Sequence, residues 1–297
     1  MAPYPAKLTG PYDYCARLTR SHYENFPVAS VLVPSRLRPH VCAVYAFARR
    51  ADDFADEARY EGRRMQRLEG WGRLLERAAS GHSVSHPIFA ALAHTMKEFG
   101  LSPQPLRDLL SAFRQDVDTI RYRTFADLAD YCRRSADPVG RLVLALFGYR
   151  DSQWDAWSDH ICTALQLANF WQDVTLDAAK GRIYIPQEDL ARFDVAEADV
   201  LNGVGGERAA ALIRFQVERT REMFHAGRPL CERAPGRLGL ELKAIWLGGM
   251  GILDAVDSGG DRVLTRRPAH GTAERVRFMW NTLVPGAFSR SYPVGHA

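Results

Sequence analysis

The feature that most constrains the fold is a run of helix-forming residues from Leu165 to Lys180, which Gly181 breaks and Pro186 closes. Such a run predicts a helix followed by a turn. A helix that is apolar nearly all round is buried inside a protein. The apolar residues of this run lie on several sides of the predicted helix; they are Leu165, Leu167, Ala168, Phe170, Trp171, Val174 and Leu176.

Three polar side chains are set into this apolar surface. Asn169, Asp173 and Asp177 follow one another at intervals of four residues, so their oxygens fall within about 80° of one helix face. Oxygen ligands without His or Cys suit Mg²⁺. A wet helix surface is the alternative interpretation. Because a buried acid needs a partner, the apolar surroundings favour a lined cavity.

A second acidic cluster lies earlier in the chain. The segment from Arg36 predicts a helix with Pro39 in its first turn, and this helix ends in Asp52, Asp53 and Asp56. Asp52 and Asp56 are one turn apart on one face, and Asp53 lies about 100° round from Asp52. A solvated helix end is again the alternative, but two such clusters in one chain favour cation binding.

The pattern along the chain predicts an all-α protein. No alternating strand pattern of useful length appears, and we expect a single domain, 1–297, of roughly a dozen helices around a central cavity. The polar segment 187–206 is predicted to be a mobile flap. Further helices are predicted at 63–99 (two helices), 103–118, 207–232 and 238–256, the last with glycines for close helix packing.

Composition excludes several function classes. The net charge of +4 is modest, and without a basic tract carrying interleaved aromatics we expect no nucleic-acid partner. Five scattered cysteines without CxxC spacing argue against a zinc site and a disulfide framework. The longest charge-free apolar run near the C-terminus, Ala244 to Leu253, is shorter than the ~18–20 residues of a membrane span. We therefore expect a cytoplasmic protein, with peripheral membrane contact left open.

Both acidic segments resemble the aspartate-rich motifs of the squalene and phytoene synthase family. The segments are YAFARRADDFADE at 45–57 and LANFWQDVTLDAAKGRIYIP at 167–186, and the second follows the pattern N-x-x-x-D-x-x-x-D-x-x-x-G-R-x-Y-x-P. The resemblance runs from about Tyr14 to about Asp257. It implies the all-α isoprenoid synthase fold, dependence on Mg²⁺ and a prenyl diphosphate substrate.

The resemblance also assigns roles to individual residues. It implies that Mg²⁺ is held from one wall by Asp52, Asp53 and Asp56, and from the other wall by Asn169, Asp173 and Asp177. The four catalytic carboxylates would be those of Asp52, Asp56, Asp173 and Asp177. Residues expected to hold the substrate are Tyr45, Arg49, Arg50, Asn169, Gln172, Arg182 and Tyr184. For Arg182 and Tyr184, a structural role in the loop after the helix is an equal alternative.

Two departures from the family pattern indicate which activity within the family to expect. Gln172 stands where the family usually has Arg, and HYENFPVAS at 22–30 replaces an early Ser-x-Ser-Phe element. ENFPVAS, NFWQDV and SADPVGRLV are similar to bacterial hydroxysqualene synthases of the hopanoid pathway. This similarity implies conversion of presqualene diphosphate and water into hydroxysqualene and diphosphate, with hand-over to other squalene-pathway enzymes. Gln172 is a candidate for positioning the water.

Two other functions remain open at this point. The first is a head-to-head condensing synthase that makes presqualene diphosphate, squalene or phytoene from two allylic diphosphates. The second is a non-catalytic helical scaffold, for which eroded acidic motifs would be expected, whereas both motifs are intact here.

Overall fold

A computed structural model describes residues 4–21 and 32–268, together with Phe288 and Tyr292. Within these residues every long element is an α-helix and no strand is present, so the all-α prediction is confirmed. The helices of this part of the chain are α1 Thr9–Ser21, α2 Arg38–Asp56, α3 Arg64–Ala79, α4 Pro87–Phe99, α5 Gln104–Asp118, α6 Phe125–Ser135, α7 Asp137–Leu146, α8 Ser152–Gln172, α9 Val174–Ala179, α10 Gln187–Arg192, α11 Glu197–Asn202, α12 Glu207–Arg233 and α13 Gly236–Gly259.

The chain divides into two compact units. The first consists of Met1–Thr119 and Arg134–Asp155, and the second of Ile120–Arg133 and Ala156–Ala297. Each unit is described by itself below. The expectation of one domain, 1–297, stays a prediction.

Helix α2 is the centre of the first unit. It packs against α1, α3, α4, α5 and α7. Small residues allow these close approaches, because Ala43, Ala46 and Ala51 are fully buried. The Trp71 indole donates a hydrogen bond to the Phe47 carbonyl over 3.3 Å, which joins α3 to α2. The first acidic cluster therefore stands at the end of the most enclosed helix of this unit.

A buried polar cluster joins α1, α2 and α4 in the same unit. The Tyr12 hydroxyl donates to the Ala91 carbonyl and lies 3.1 Å from His40 Nδ1, 2.9 Å from His94 Nδ1 and 3.0 Å from Thr95 Oγ1. His40 is almost completely buried. Burial, reinforced by the neighbouring His94, lowers the pKa of His40 to about 4. The pKa of His40 is lowered because a charged imidazole in this buried place would lose its hydration.

Close helix packing dominates the second unit. A Cβ atom at Gly249 of α13 would lie 2.3 Å from the Phe224 ring of α12, and one at Gly227 would lie 2.5 Å from Ile161 of α8. Trp171 of α8 donates to the Thr220 hydroxyl over 2.9 Å. The predicted role of the glycines in close packing is thus confirmed at Gly249.

Several helix boundaries follow from local signals. Pro39 lies in the first turn of α2, as predicted, and Gly100 ends α4 in the left-handed conformation with φ 57°. Pro138 lies in the first turn of α7, and Ala136 separates this helix from α6. Pro favours this position because its missing N–H has no partner in a first turn.

One prediction about a helix was wrong. The helix predicted to run from Leu165 to Lys180 is divided at Asp173, which has φ −102° and ψ 16° and separates α8 from α9. The segment 187–206, which is predicted to be a mobile flap, contains two short helices, α10 and α11. No helix among the described residues combines the length and apolar character that crossing a bilayer requires.

Candidate active site

The first acidic cluster lies on a partly exposed stripe of α2. From His40 to Asp56 the helix is buried except at one narrow face and at Arg50. With 100° of rotation per residue, the members of this face fall within about 100° of one another. They form the first stripe, Tyr45, Ala48, Arg49, Asp52 and Asp56. The accessible side of α2 thus carries one phenol, one guanidinium and two carboxylates.

Asp53 lies on a different face and has a different environment. Its side chain is only 1% exposed, and its two carboxylate oxygens lie 2.9 Å from Arg49 Nε and 3.4 Å from Arg50 Nη1. Arg49 also reaches Asp52 Oδ2 over 3.1 Å. A buried carboxylate is stable only when it is paired, and here two arginines of the preceding turn pair with it. The structure therefore separates Asp53 from Asp52 and Asp56, with which the sequence grouped it.

The second acidic motif also lies on a partly exposed stripe. Between Ile161 and Val174 the chain is buried except at one face within about 100°. This face is the second stripe, Cys162, Leu165, Gln166, Asn169 and Asp173. Beyond Val174 the short helix α9 is more open, and Leu176 is 50% exposed although it was predicted to be buried.

The break at Asp173 preserves the spacing of the motif. Asp173 N donates to the Asn169 carbonyl over 2.8 Å, and Asp177 N donates to the Asp173 carbonyl over 2.9 Å. Both are helical i→i−4 hydrogen bonds. The three oxygen-bearing side chains therefore keep their four-residue intervals across the junction of α8 and α9.

Arg267 is a candidate functional residue that the sequence interpretation missed. Its Nε forms an ion pair with Asp173 Oδ1, and its Nη2 lies 3.4 Å from Asp173 Oδ2. The same Nη2 lies 3.5 Å from Gln172 Oε1, while Gln172 Nε2 donates to the Pro268 carbonyl over 3.0 Å. Residues 267–268 thus lie directly on the second motif. Nothing local in the sequence indicates this contact, which spans 94 residues.

The loop after α9 places Arg182 and Tyr184. Gly181 adopts φ 73°, a left-handed conformation that costs glycine little, and Arg182 N then donates to the Asp177 carbonyl over 2.9 Å. The Tyr184 ring stacks on Phe170 of α8 with centroids 3.7 Å apart. Packing thus accounts for the position of the Tyr184 ring. Arg182 borders the same small cleft as Asp177.

The donor chemistry of both stripes fits Mg²⁺. Each presents carboxylate or amide oxygens on a helix that is otherwise buried, and Mg²⁺ is usually held by one or two carboxylates with water and phosphate at its other positions. Among the described residues, no three His, Cys, Asp or Glu side chains already converge as a metal cage. An ion at either stripe would therefore need ligands beyond the acids of that stripe.

Comparison with known proteins identifies the family. The profile described as squalene/phytoene synthase matches residues 19–274.

The chain belongs to the squalene/phytoene synthase family.

Its members act on prenyl diphosphates and generally use a divalent metal, so this protein is an enzyme of isoprenoid biosynthesis. The element at 22–30 that contributed to the predicted resemblance lies outside the described residues.

Relatives within the squalene/phytoene synthase family carry different activities in their names. A phytoene synthase of Arthrospira platensis is 34% identical over 233 residues, which are 74% of this chain and 75% of the relative. A hydroxysqualene synthase of Rhodopseudomonas palustris is 38% identical over 228 residues, 75% of each chain. The crystal structure of squalene synthase HpnC from Alicyclobacillus acidocaldarius matches with a TM-score of 0.82 and 43% identity, covering 87% of this chain and 97% of that one.

Proposed function

We propose that this protein is a Mg²⁺-dependent hydroxysqualene synthase, which converts presqualene diphosphate and water into hydroxysqualene and diphosphate. The observation that carries the proposal is the second motif with its Gln172. This residue occupies the position at which the family pattern implies Arg, and its side chain is buried against residues 267–268. A hydroxysqualene synthase 38% identical over three quarters of the chain supports the same assignment.

The metal ligands of the proposed enzyme come from the two stripes. We assign Asp52 and Asp56 of the first stripe, and Asn169, Asp173 and the following Asp177 of the second motif. When bound, Mg²⁺ neutralises the charge that develops on a departing diphosphate. The carboxylates would hold Mg²⁺ at partly exposed positions of helix segments that are otherwise buried.

In each unit, we assign arginines beside the acidic motif to diphosphate binding. In the first unit, Asp53 holds Arg49 and Arg50 through its two oxygens, so we assign Asp53 to positioning these arginines. In the second unit, Gln172 lies beside Arg267, so we assign Gln172 to positioning Arg267 and no longer to positioning water. Guanidinium groups suit this task because their planar fork matches phosphate oxygens.

The reaction breaks one C–O bond and forms another. The ester C–O bond of presqualene diphosphate breaks, and its electron pair leaves with the diphosphate. The remaining carbocation rearranges, water supplies the oxygen of the new C–O bond, and the released proton passes to solvent or diphosphate. No electrons are gained or lost overall, so the reaction needs no reductant.

A condensing synthase is the second candidate function. The observation that favours it is the phytoene synthase of Arthrospira platensis, which is 34% identical over the same share of the chain. Such an enzyme would join two allylic diphosphates, so it would need to bind both substrates at the same time.

Product analysis separates the two candidates. Purified protein is supplied with presqualene diphosphate and Mg²⁺ without reductant, and in parallel with farnesyl or geranylgeranyl diphosphate. We expect hydroxysqualene and diphosphate from the first reaction, no product from the other two, and no reaction when EDTA replaces Mg²⁺. Accumulation of presqualene diphosphate or phytoene would overturn the proposal in favour of the condensing synthase.

A further inference from the structure

The first unit carries a basic groove between α3 and α5. The groove has a volume of about 670 Å³ and is open to solvent. Neither of its helices contains a predicted site residue. Its charged lining consists of four arginines and two glutamates, which leaves two positive charges in excess; these residues are Arg73, Arg77, Arg107, Arg114, Glu69 and Glu76.

Gly72 provides the space in which Arg114 lies. Gly72 is in the middle of α3 and has no positive φ, so its backbone does not require glycine. A Cβ at this position would lie 2.8 Å from Arg114 Nη2, which is closer than real Cβ contacts allow. Glycine inside a helix is about 1 kcal/mol less favourable than alanine. Glycine is thus present at position 72 despite its lower helix stability, at the point where the Arg114 guanidinium lies against α3.

The charges of the groove are only partly compensated inside it. Arg107 and Glu76 form a two-bond fork, with distances of 2.8 and 2.7 Å. Arg114 Nε is buried without a hydrogen-bond partner among the described residues. Arg77 makes one long contact of 3.4 Å to the Ser83 carbonyl. Because Glu76 is occupied by Arg107, only Glu69 remains to balance the other three arginines of the lining.

We propose that this groove binds a phosphate group, with Arg114 as the central donor and with Arg73 and Arg77 beside it. A phosphate oxyanion accepts several charge-assisted hydrogen bonds at once, and arginine presents its donors in a matching plane. The glutamate–arginine fork at one side of the groove leaves those other donors for the anion. The phosphate is either the headgroup of an anionic phospholipid or a free inorganic ion.

Two binding measurements distinguish these sources. The full-length protein is titrated with inorganic phosphate by calorimetry without Mg²⁺. It is also sedimented with phosphatidylcholine vesicles that do or do not contain phosphatidylglycerol. Binding to the anionic vesicles but not to the free ion identifies a lipid headgroup, and binding to the free ion alone identifies a soluble phosphate. Absence of binding in both measurements would overturn the proposal.

Four variants test whether the groove is the site. We expect Arg114→Gln to weaken binding by about tenfold, as loss of a charge-assisted hydrogen bond to phosphate does. Gly72→Ala should weaken binding without lowering thermal stability, because it displaces the guanidinium while favouring the helix. Its control is Gly70→Ala, where the added Cβ meets only Arg73 Nη2 at an ordinary 3.7 Å. Arg237→Gln removes the same charge from an exposed position of α13.

The controls decide between a site and general charge. The proposal requires that Gly70→Ala and Arg237→Gln bind phosphate or vesicles like the unmodified protein. If Arg237→Gln weakens binding as much as Arg114→Gln, the interaction depends only on net charge and the groove is not a site. Wild-type binding by Gly72→Ala, with the guanidinium displaced, would likewise overturn it.

Discussion

The buried His40 of the first unit should make the protein sensitive to mild acid. Its pKa is lowered from 6.5 to about 4, chiefly because burial removes the hydration of the charged imidazole and secondarily because His94 lies nearby. The unfolded chain therefore binds a proton at a higher pH than the folded protein. Stability contributed by neutral His40 is present above about pH 6.5 and is lost as the pH falls towards 4.

The size of this effect follows from the two pKa values. With 6.5 in the unfolded chain and about 4 in the folded protein, lowering the pH from 7 to 5 should reduce the free energy of unfolding by about 2 kcal/mol through this residue. Further acidification towards pH 4 should raise the loss to roughly 3 kcal/mol.

Urea unfolding at pH 7 and pH 5 measures this loss. The comparison variant is His40→Asn, which places a hydrogen-bonding amide beside the Tyr12 and Thr95 hydroxyls but does not titrate. We expect the variant to be less stable at pH 7 and to lose about 2 kcal/mol less than the unmodified protein on going to pH 5. Titrating groups that do not interact with His40 cancel in this difference. Equal losses in the two proteins would refute the argument from burial.

Three further substitutions test the acidic motifs and the helix packing. Asp173→Asn should nearly abolish turnover of presqualene diphosphate while the far-UV circular dichroism stays unchanged. The matched control is Asp130→Asn on the surface of α6. Near-normal turnover by Asp173→Asn would show that Asp173 is not a metal ligand. Asp53→Asn should lower the free energy of unfolding by roughly 3 kcal/mol, because two arginines lose their buried partner. A loss in turnover with unchanged stability would contradict that reasoning. Gly249→Ala should cost about 1–3 kcal/mol in urea unfolding by overpacking α12 against α13, whereas Gly10→Ala, with nothing within 4 Å of the new Cβ, should be neutral or stabilising.

Helix positions were predictable because their signals are local. Pro39 marks the start of α2, and the periodic patterns of α5 and α12 agree with their observed bounds. The break at Asp173 was not predictable, since the sequence Gln-Asp-Val contains neither Gly nor Pro. Only the backbone of Asp173 departs from helical geometry, and helical hydrogen bonds continue on both sides of it. The break therefore does not change the periodicity of the sequence.

The chemistry of the candidate site was only partly predictable. The positions Asn169, Asp173 and Asp177 follow from helical spacing alone, and the structure keeps that spacing. The separation of Asp53 from its acidic neighbours depends on burial, which depends in turn on the helices that pack around α2. The contact between Arg267 and Asp173 joins residues 94 positions apart, and such a pairing is set by tertiary packing.

The ion pair made by Arg267 affects how this protein can be shortened. A chain that stopped after Gly259 would still contain the sequence of all thirteen helices of the described region. It would nevertheless lack the guanidinium that faces Asp173 and the carbonyl that holds the Gln172 amide. The helix bounds are therefore a poor guide to where this enzyme can be trimmed, and any truncation should retain at least the residues through Tyr292, since Phe288 is buried and the Tyr292 carbonyl accepts a hydrogen bond from Arg228.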